Sequence, residues 1–242
     1  MENRTYTRSS ATPYINEGLR NYMIKVYNFM TAGLCLTAFS AYFVANTPLL
    51  RLFFTLDPMG RVMGMSGFGW LMFIAPLIMV FAFGWVINRG SAKQVQLMFW
   101  TYAAIMGISL TPIVLIYTGT SLARVFLITA GTFGAMSLYG YTTKKDLTSM
   151  GSFLFMGLIG IIIASLVNIF LKSTGLDFAI SILGIAIFTG LTAYDTQRIR
   201  NIYMDGDNNE IATKKAVTGA LSLYLDFINM FLYLLRFMGD RR

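Results

Sequence analysis

Seven apolar blocks, each about as long as a membrane-spanning helix, constrain the fold of this chain more than any other feature. They cover roughly 27–47, 68–88, 97–117, 124–142, 151–171, 178–198 and 216–236. An α-helix needs about 20 residues to cross the hydrocarbon core of a bilayer. The chain is 56% hydrophobic and only 12% charged, whereas a soluble domain is typically about 25% charged. The sequence therefore predicts an all-α membrane protein built as a seven-helix bundle.

The apolar runs are continuous, which favours helices over the alternating strands of a β-barrel, because a helix satisfies its own backbone groups in lipid. Residues 1–26 are polar and charged and precede the first apolar block, a pattern that does not fit a cleaved signal peptide. We therefore expect a cytoplasmic N-terminal tail over 1–26 and a seven-helix transmembrane domain over 27–242.

Basic residues lie in the polar breaks and concentrate on one side of the predicted bundle. If the N-terminus is cytoplasmic, most of the 19 Lys and Arg residues share its side. These residues are Arg4, Arg8, Arg20, Lys25, Arg89, Lys93, Lys144, Lys145, Arg198, Arg200, Lys214 and Lys215. The positive-inside rule then favours a cytoplasmic N-terminus and a C-terminus on the opposite side, although the basic end RFMGDRR opposes that C-terminal placement. Because the excess charge flanks membrane spans, we expect the lipid bilayer as a partner and no nucleic acid.

The chain contains no histidine and a single cysteine, Cys35. This composition excludes His-dependent acid–base catalysis, Ser-His and Cys-His nucleophile pairs, the usual zinc sites and an internal disulfide. We expect no cofactor.

Two acidic residues lie inside predicted spans. Asp195 lies near the end of the sixth span, in LTAYDTQRIRNIY, and Asp226 lies well inside the seventh, in SLYLDFINMFLYLL. A charged acid at the centre of a transmembrane helix costs roughly 2.5–3.5 kcal/mol on insertion scales. Two acids at such positions therefore indicate a role that offsets the cost of inserting them.

Helical spacing places polar side chains on the same face as each acid. The polar residues that share a face with an acid are Ser222, Asn229 and Tyr233 on the seventh span and Thr192 and Arg198 on the sixth. Consecutive spans joined by a modest loop are usually antiparallel neighbours. The two acids are therefore expected to approach each other toward the inner side of the membrane.

Two carboxylates held together in a low-dielectric site cannot both ionise cheaply, so such a pair shares a proton. With the proton the pair holds two helices together. Without it the charges separate the helices or recruit a cation. A structural alternative stays open, in which Asp195 pairs with Arg198 or Arg200 and Asp226 is protonated and hydrogen-bonded.

The chain resembles the Bax inhibitor family, in its bacterial inner-membrane branch, at the segments GLTAYDTQRIRNIY, LSLYLDFINMFLYLLR and GAMSLYGYTTKKDL. The likeness extends over nearly the whole chain, from LRNYMIKVYNFMTAGLCLTAFSAY onward. In a bacterial inner membrane the C-terminus, opposite a cytoplasmic N-terminus, would be periplasmic. The resemblance implies a seven-helix bundle with the last helix central, in which Asp195 and Asp226 would be transient calcium ligands. It also implies that Asp195 and Asp226 are the proton sensor and gate of a calcium leak, with Arg198 or Arg200 beside them.

Three functions follow from these patterns and stay open. The first is a pH-sensitive, calcium-permeable leak gated by the aspartate pair. The second is a non-conducting regulator that binds another membrane protein, such as a membrane protease, through faces of small residues. The pairs of small residues at helical spacing are Gly160 with Ala164, Gly131 with Ala135 and Ala186 with Gly190. The third is an intramembrane aspartyl protease, but the second acid lies in LYLD instead of the GxGD of that class, so we expect no enzyme.

Overall fold

The computed structural model describes residues 17–59 and 62–242. Its helices are α1 (Glu17–Ala45), α2 (Leu50–Phe53), α3 (Gly67–Arg89), α4 (Ala92–Ser109), α5 (Thr111–Ile116), α6 (Gly119–Thr142), α7 (Thr148–Leu171), α8 (Thr174–Asn201) and α9 (Asn209–Met238). Within the described residues, seven helical segments are long and apolar enough to cross a membrane, with α4 and α5 together forming the third. The predicted class, an all-α seven-helix membrane protein, is confirmed.

The first helix begins at Glu17, well before residue 27, where the first apolar block starts. Its early turns are amphipathic, because Tyr22, Met23 and Val26 are buried while Arg20 and Lys25 are exposed. A hydropathy block therefore marks the lipid-facing part of this helix and misses its polar start. The basic residues Arg4, Arg8 and Arg61 lie outside the described residues.

A short β-hairpin, which the sequence did not predict, lies between the first two spans. Strand β1 (Phe54–Leu56) pairs antiparallel with β2 (Val62–Met65), with Phe54 opposite Met65. The start of α3 packs closely beneath it, since a Cβ on Gly69 would lie 2.0 Å from the carbonyl oxygen of Phe53. Glycine at this position is what allows that approach.

Side-chain caps fix the starts of the two helices that carry the acids. The Ser173 side chain accepts a hydrogen bond from the backbone N–H of Leu176 at the start of α8, and the Asn208 side chain accepts one from Ile211 at the start of α9. Such caps satisfy backbone donors that a helix leaves unpaired at its N-terminus. The two helices that carry the acids therefore begin at defined residues, directly after Ser173 and Asn208.

The bundle has two ends, which we call proximal and distal. At the proximal end, the Lys25 ammonium near the start of α1 donates a 2.7 Å hydrogen bond to Thr213 near the start of α9. At the distal end, the backbone N–H of Asp240 donates a 2.9 Å bond to Ser121 near the start of α6. Helix α9 thus runs from one end of the bundle to the other.

Helix α9 has the largest buried share of the seven spans and packs against α1, α4, α6 and α8. Its buried side chains include Tyr224, which contacts the rings of Phe99 and Tyr102 edge-on. The placement of the last helix at the centre of all the others stays a prediction.

Candidate aspartate site

Helices α8 and α9 form the most extensive helix–helix contact in the described structure, and both predicted acids lie at it. Small residues permit the close approach. A Cβ on Gly184 of α8 would lie 2.6 Å from the ring of Tyr233, and a Cβ on Gly219 of α9 would lie 3.0 Å from Ile199. The two helices are therefore packed tightly on both sides of the acids.

Asp195 is buried at this interface, with 8% of its side chain exposed, and forms an ion pair with Arg198 one turn further along α8. The distance between the Arg198 Nη2 and the Asp195 Oδ1 is 3.3 Å. That geometry falls short of a hydrogen bond, and this buried carboxylate oxygen has no hydrogen-bond partner among the described residues. The charge of Asp195 is thus compensated by proximity to Arg198 more than by a directed bond.

Asp226 is more deeply buried, with 4% of the residue exposed. Its Oδ2 also lacks a hydrogen-bond partner within the described part of the chain. The carboxyl of Asp226 interacts electrostatically with both Asp195 and Arg198 across the interface. The structure therefore places Asp226 within electrostatic range of Asp195 and Arg198, and direct contact between the two acids stays a prediction.

Arg198 joins the two helices on the proximal side of the acids. Its Nη2 donates a 3.0 Å hydrogen bond to the Ser222 hydroxyl on α9, and its guanidinium lies 5.8 Å from the centre of the Tyr194 ring. The Arg198 side chain is 41% exposed, whereas the acids are buried. Arg198 therefore lies between the acids and the solvent at the proximal end.

Arg200, the other arginine suggested for this role, points elsewhere. Its guanidinium donates hydrogen bonds to the carbonyl of Tyr141 at the end of α6 and to the side chain of Asn201. These hydrogen bonds hold the Arg200 guanidinium at the edge of the bundle. Of the two arginines, Arg198 is therefore the one that lies beside Asp195, and its role at the acids stays a prediction.

The other polar residues of the predicted faces play different parts. Thr192 and Asn229 are bonded to carbonyls of their own helices, Phe188 and Leu225 respectively. Tyr233 lies nearer the distal end, where its ring stacks on Phe188. Of the predicted supporting residues, Ser222 and Arg198 have contacts that connect α8 to α9 beside the acids.

A chain of hydroxyl groups beside Asp195 was missed by the sequence reasoning. The Ser137 hydroxyl on α6 is 3.0 Å from that of Thr196 on α8, and it is also hydrogen-bonded to the Tyr27 hydroxyl on α1. Thr196 directly follows Asp195, so the chain links three helices at the level of the site. The signal was present as polar residues inside apolar spans, but their pairing depends on how distant spans pack.

Comparison with known proteins gives the family. The family model described as "Inhibitor of apoptosis-promoting Bax1" matches residues 19–242. The chain belongs to the Bax inhibitor family. It is 45% identical to "Inner membrane protein YbhL" of Escherichia coli (strain K12) over 240 residues, which cover 98% of this chain and 99% of that protein.

Other relatives of this Bax inhibitor family protein match over similar lengths. The chain is 48% identical over 239 residues to "Uncharacterized protein RP147" of Rickettsia prowazekii (strain Madrid E), covering 99% of this chain and 98% of that one. It is 36% identical over 225 residues to "Uncharacterized protein YrjE" of Lactococcus lactis, covering 93% and 92%. With its seven apolar helices, this member of the Bax inhibitor family is a multi-pass protein of the inner membrane.

Two of the small residues named from the sequence face open space in this Bax inhibitor family member. A Cβ on Gly131 or on Gly160 would meet nothing within 4 Å. Gly190 instead packs within the bundle, where a Cβ would lie 2.6 Å from Leu154. The tightest approach near the acids is at Gly140 of α6, where a Cβ would lie 2.2 Å from the carbonyl oxygen of Ala193. Spacing alone does not show which face of a helix meets another.

Calcium ligands at the site would have to come from few groups. No cluster of three or more His, Cys, Asp or Glu side chains occurs among residues 17–59 and 62–242. Asp195 and Asp226 therefore offer two carboxylates, and the remaining positions around a bound Ca²⁺ would be filled by water or carbonyl oxygens, which calcium accepts readily.

Proposed function

We propose that this protein is a pH-sensitive, calcium-permeable leak of the inner membrane, gated by Asp195 and Asp226. The observation that carries the proposal is the burial of both carboxyls at the tight α8–α9 interface with one shared arginine. Family membership supports it in general terms. A buried, under-bonded acid pair is expensive in a bilayer, and such residues commonly mark ion or proton pathways.

The proposed switch depends on the proton count of the pair. With one proton between them, the two acids and Arg198 carry no net charge, and α8 and α9 stay packed. Loss of that proton leaves two carboxylates against one guanidinium in a low-dielectric site, where like charges repel strongly. The resulting repulsion loosens the interface and favours a cation, so calcium flux should rise from mildly acidic to mildly basic conditions.

Arg198 is the competitor for the cation in this scheme. Its guanidinium reaches Asp195 from the proximal side and is held there by Ser222. A calcium ion that enters from that side must displace the guanidinium or pass beside it. The partial exposure of Arg198 makes such a displacement less costly than for a fully buried arginine.

Calcium flux into proteoliposomes that contain the purified protein tests the proposal. Asp226→Asn mimics the protonated acid, so we expect low flux that no longer responds to pH. Asp240→Asn, at an exposed acid of the distal end, is the matched control and should keep the native response. If the native protein conducts no more calcium than empty liposomes at both mildly acidic and mildly basic pH, the proposed leak function is wrong.

A non-conducting regulator is the alternative, and one observation favours it. Gly160 on α7 faces open space, and α7 is among the least buried of the spans. A small residue on an outward face lets another transmembrane helix approach closely. The flux measurement separates the two functions, because a regulator predicts no flux and no effect of Asp226→Asn on it.

For orientation and chemistry, we infer a cytoplasmic proximal end, a periplasmic C-terminus and no enzymatic activity. The basic residues Arg89, Lys144 and Lys214 belong to the proximal connections, which supports a cytoplasmic location for that end. Membership of a family that is generally not enzymatic supports the last inference. Protease accessibility in oriented vesicles tests the orientation.

A further inference from the structure

An open cleft separates α1 from α6 on the lipid-facing side of the bundle. Its proximal part, of about 600 Å³, is lined on α1 from Arg20 to Leu34 and on α6 from Phe126 to Tyr141. A second part, of about 510 Å³, continues it past Leu34 and Phe126 toward the distal end. Phe227 of α9 contributes to both parts, so the cleft exposes the helix that carries Asp226.

The lining of the proximal part changes character along its length. The middle is formed by apolar side chains such as Met30, Ala130 and Phe133, whereas the proximal end has the guanidinium of Arg20. Arg20 is exposed and forms no hydrogen bond or ion pair with another described residue. A charged end followed by an apolar groove has the polarity of a phospholipid.

The position of Arg20 matches the depth of a lipid headgroup. Helix α1 has 29 residues, which makes it about 43 Å long at about 1.5 Å per residue. The hydrocarbon core is only about 30 Å thick, so the ends of α1 lie among the headgroups. Arg20, in the first turn, is therefore at the level of the phosphate groups.

The length and the charged end of the cleft favour a single phospholipid. From Arg20 to Leu34 the α1 wall is about 21 Å long, enough for one chain across a leaflet of about 15 Å. The cleft of about 600 Å³ is open toward the lipid and continues into the second part of about 510 Å³, so an acyl chain can lie along it while the phosphate meets the cationic Arg20. We propose that the α1–α6 cleft binds one anionic phospholipid, with its phosphate at Arg20 and an acyl chain along Phe133 and Gly134.

Two glycines of α6 supply a matched test. A Cβ on Gly134 or on Gly131 would meet nothing within 4 Å, so larger side chains are tolerated at both. Gly134 lines the cleft and Gly131 does not. Gly134→Leu should therefore fill the chain-binding part, while Gly131→Leu makes the same chemical change outside it.

The experiment is native mass spectrometry of the full chain from detergent that contains phosphatidylglycerol or phosphatidylcholine with identical acyl chains. We expect the native protein and Gly131→Leu to retain one phosphatidylglycerol, and Gly134→Leu to lose it. Arg20→Gln should still bind one lipid by its acyl chain, but its preference for phosphatidylglycerol over phosphatidylcholine should fall by about fivefold. This factor corresponds to the contribution of about 1 kcal/mol that one basic residue makes at a membrane surface. Retention by Gly134→Leu equal to the native protein, an unchanged preference in Arg20→Gln, or a second protein copy in place of lipid would overturn the proposal.

Discussion

The Arg198 guanidinium on α8 and the Ser222 hydroxyl on α9 are joined by a 3.0 Å hydrogen bond, one helical turn before Asp226. The same guanidinium nitrogen lies 3.3 Å from Asp195. One side chain therefore bonds to α9 and pairs with the acid of α8. Any movement that separates α8 from α9 at the site must first break this connection.

Loss of the Arg198 connection should destabilise the bundle. Arg198→Gln leaves the buried Asp195 without its ion pair, which we expect to cost about 1–3 kcal/mol. Ser222→Ala removes only the hydrogen bond to α9 and should cost about 1 kcal/mol. Unfolding in mixed detergent micelles measures both. Equal stability of Arg198→Gln and the native protein would show that the ion pair contributes nothing.

The close approach of α6 to α8 should depend on Gly140. A Cβ at this position would lie 2.2 Å from the Ala193 carbonyl oxygen, so Gly140→Ala must push the helices apart, at a cost of about 1–3 kcal/mol. Gly131→Ala adds the same methyl group to open space on the same helix. We expect this control to unfold no earlier than the native protein, and a matching loss in both variants would rule out the steric explanation.

The sequence revealed the seven spans and the two acids because both are signals of composition within single segments. It did not reveal the β-hairpin, since strands of three and four residues are too short to show an alternating pattern. The choice of Arg198 over Arg200 and the Tyr27–Ser137–Thr196 chain depend on which helix faces meet. Periodicity places residues on a face but does not say which neighbour that face contacts.

Gln197 should hold the α6–α7 connection against α8. Its side-chain oxygen accepts a 2.8 Å hydrogen bond from the N–H of Leu147, and its amide donates a 2.8 Å bond to the carbonyl of Lys145. Gln197→Ala removes both, so hydrogen exchange at the Leu147 amide should accelerate. Gln197→Glu retains the acceptor and should retain most of that protection. Equal exchange in all three proteins would contradict the role of Gln197.

Asp146, in the same connection, gives a prediction on pH. Its carboxylate accepts a 2.6 Å hydrogen bond from the Thr148 hydroxyl and a 2.9 Å bond from the Thr148 N–H, and these bonds lower the pKa of Asp146. A lowered pKa means that the stabilisation is present above the ordinary pKa of an aspartate and is lost as the pH falls through the folded value. Thr148→Ala removes the larger cause, so the pKa should return toward its ordinary value.

Carboxyl NMR titration of Asp146 makes that measurement. Thr148→Ser keeps a hydroxyl at the same position and should keep the low pKa. A Thr148→Ala protein with the native pKa would show that the hydroxyl bond is not the cause.

Whether Asp195 and Asp226 act as one titrating unit can be tested by a double-mutant comparison of calcium flux in proteoliposomes. The flux of the native protein, Asp195→Asn, Asp226→Asn and the double variant would be measured under mildly acidic and mildly basic conditions. We predict that each single substitution abolishes the pH response as fully as the double one, because one carboxyl alone cannot share a proton. Independent effects that add in the double variant, or a pH response that survives in it, would contradict the account.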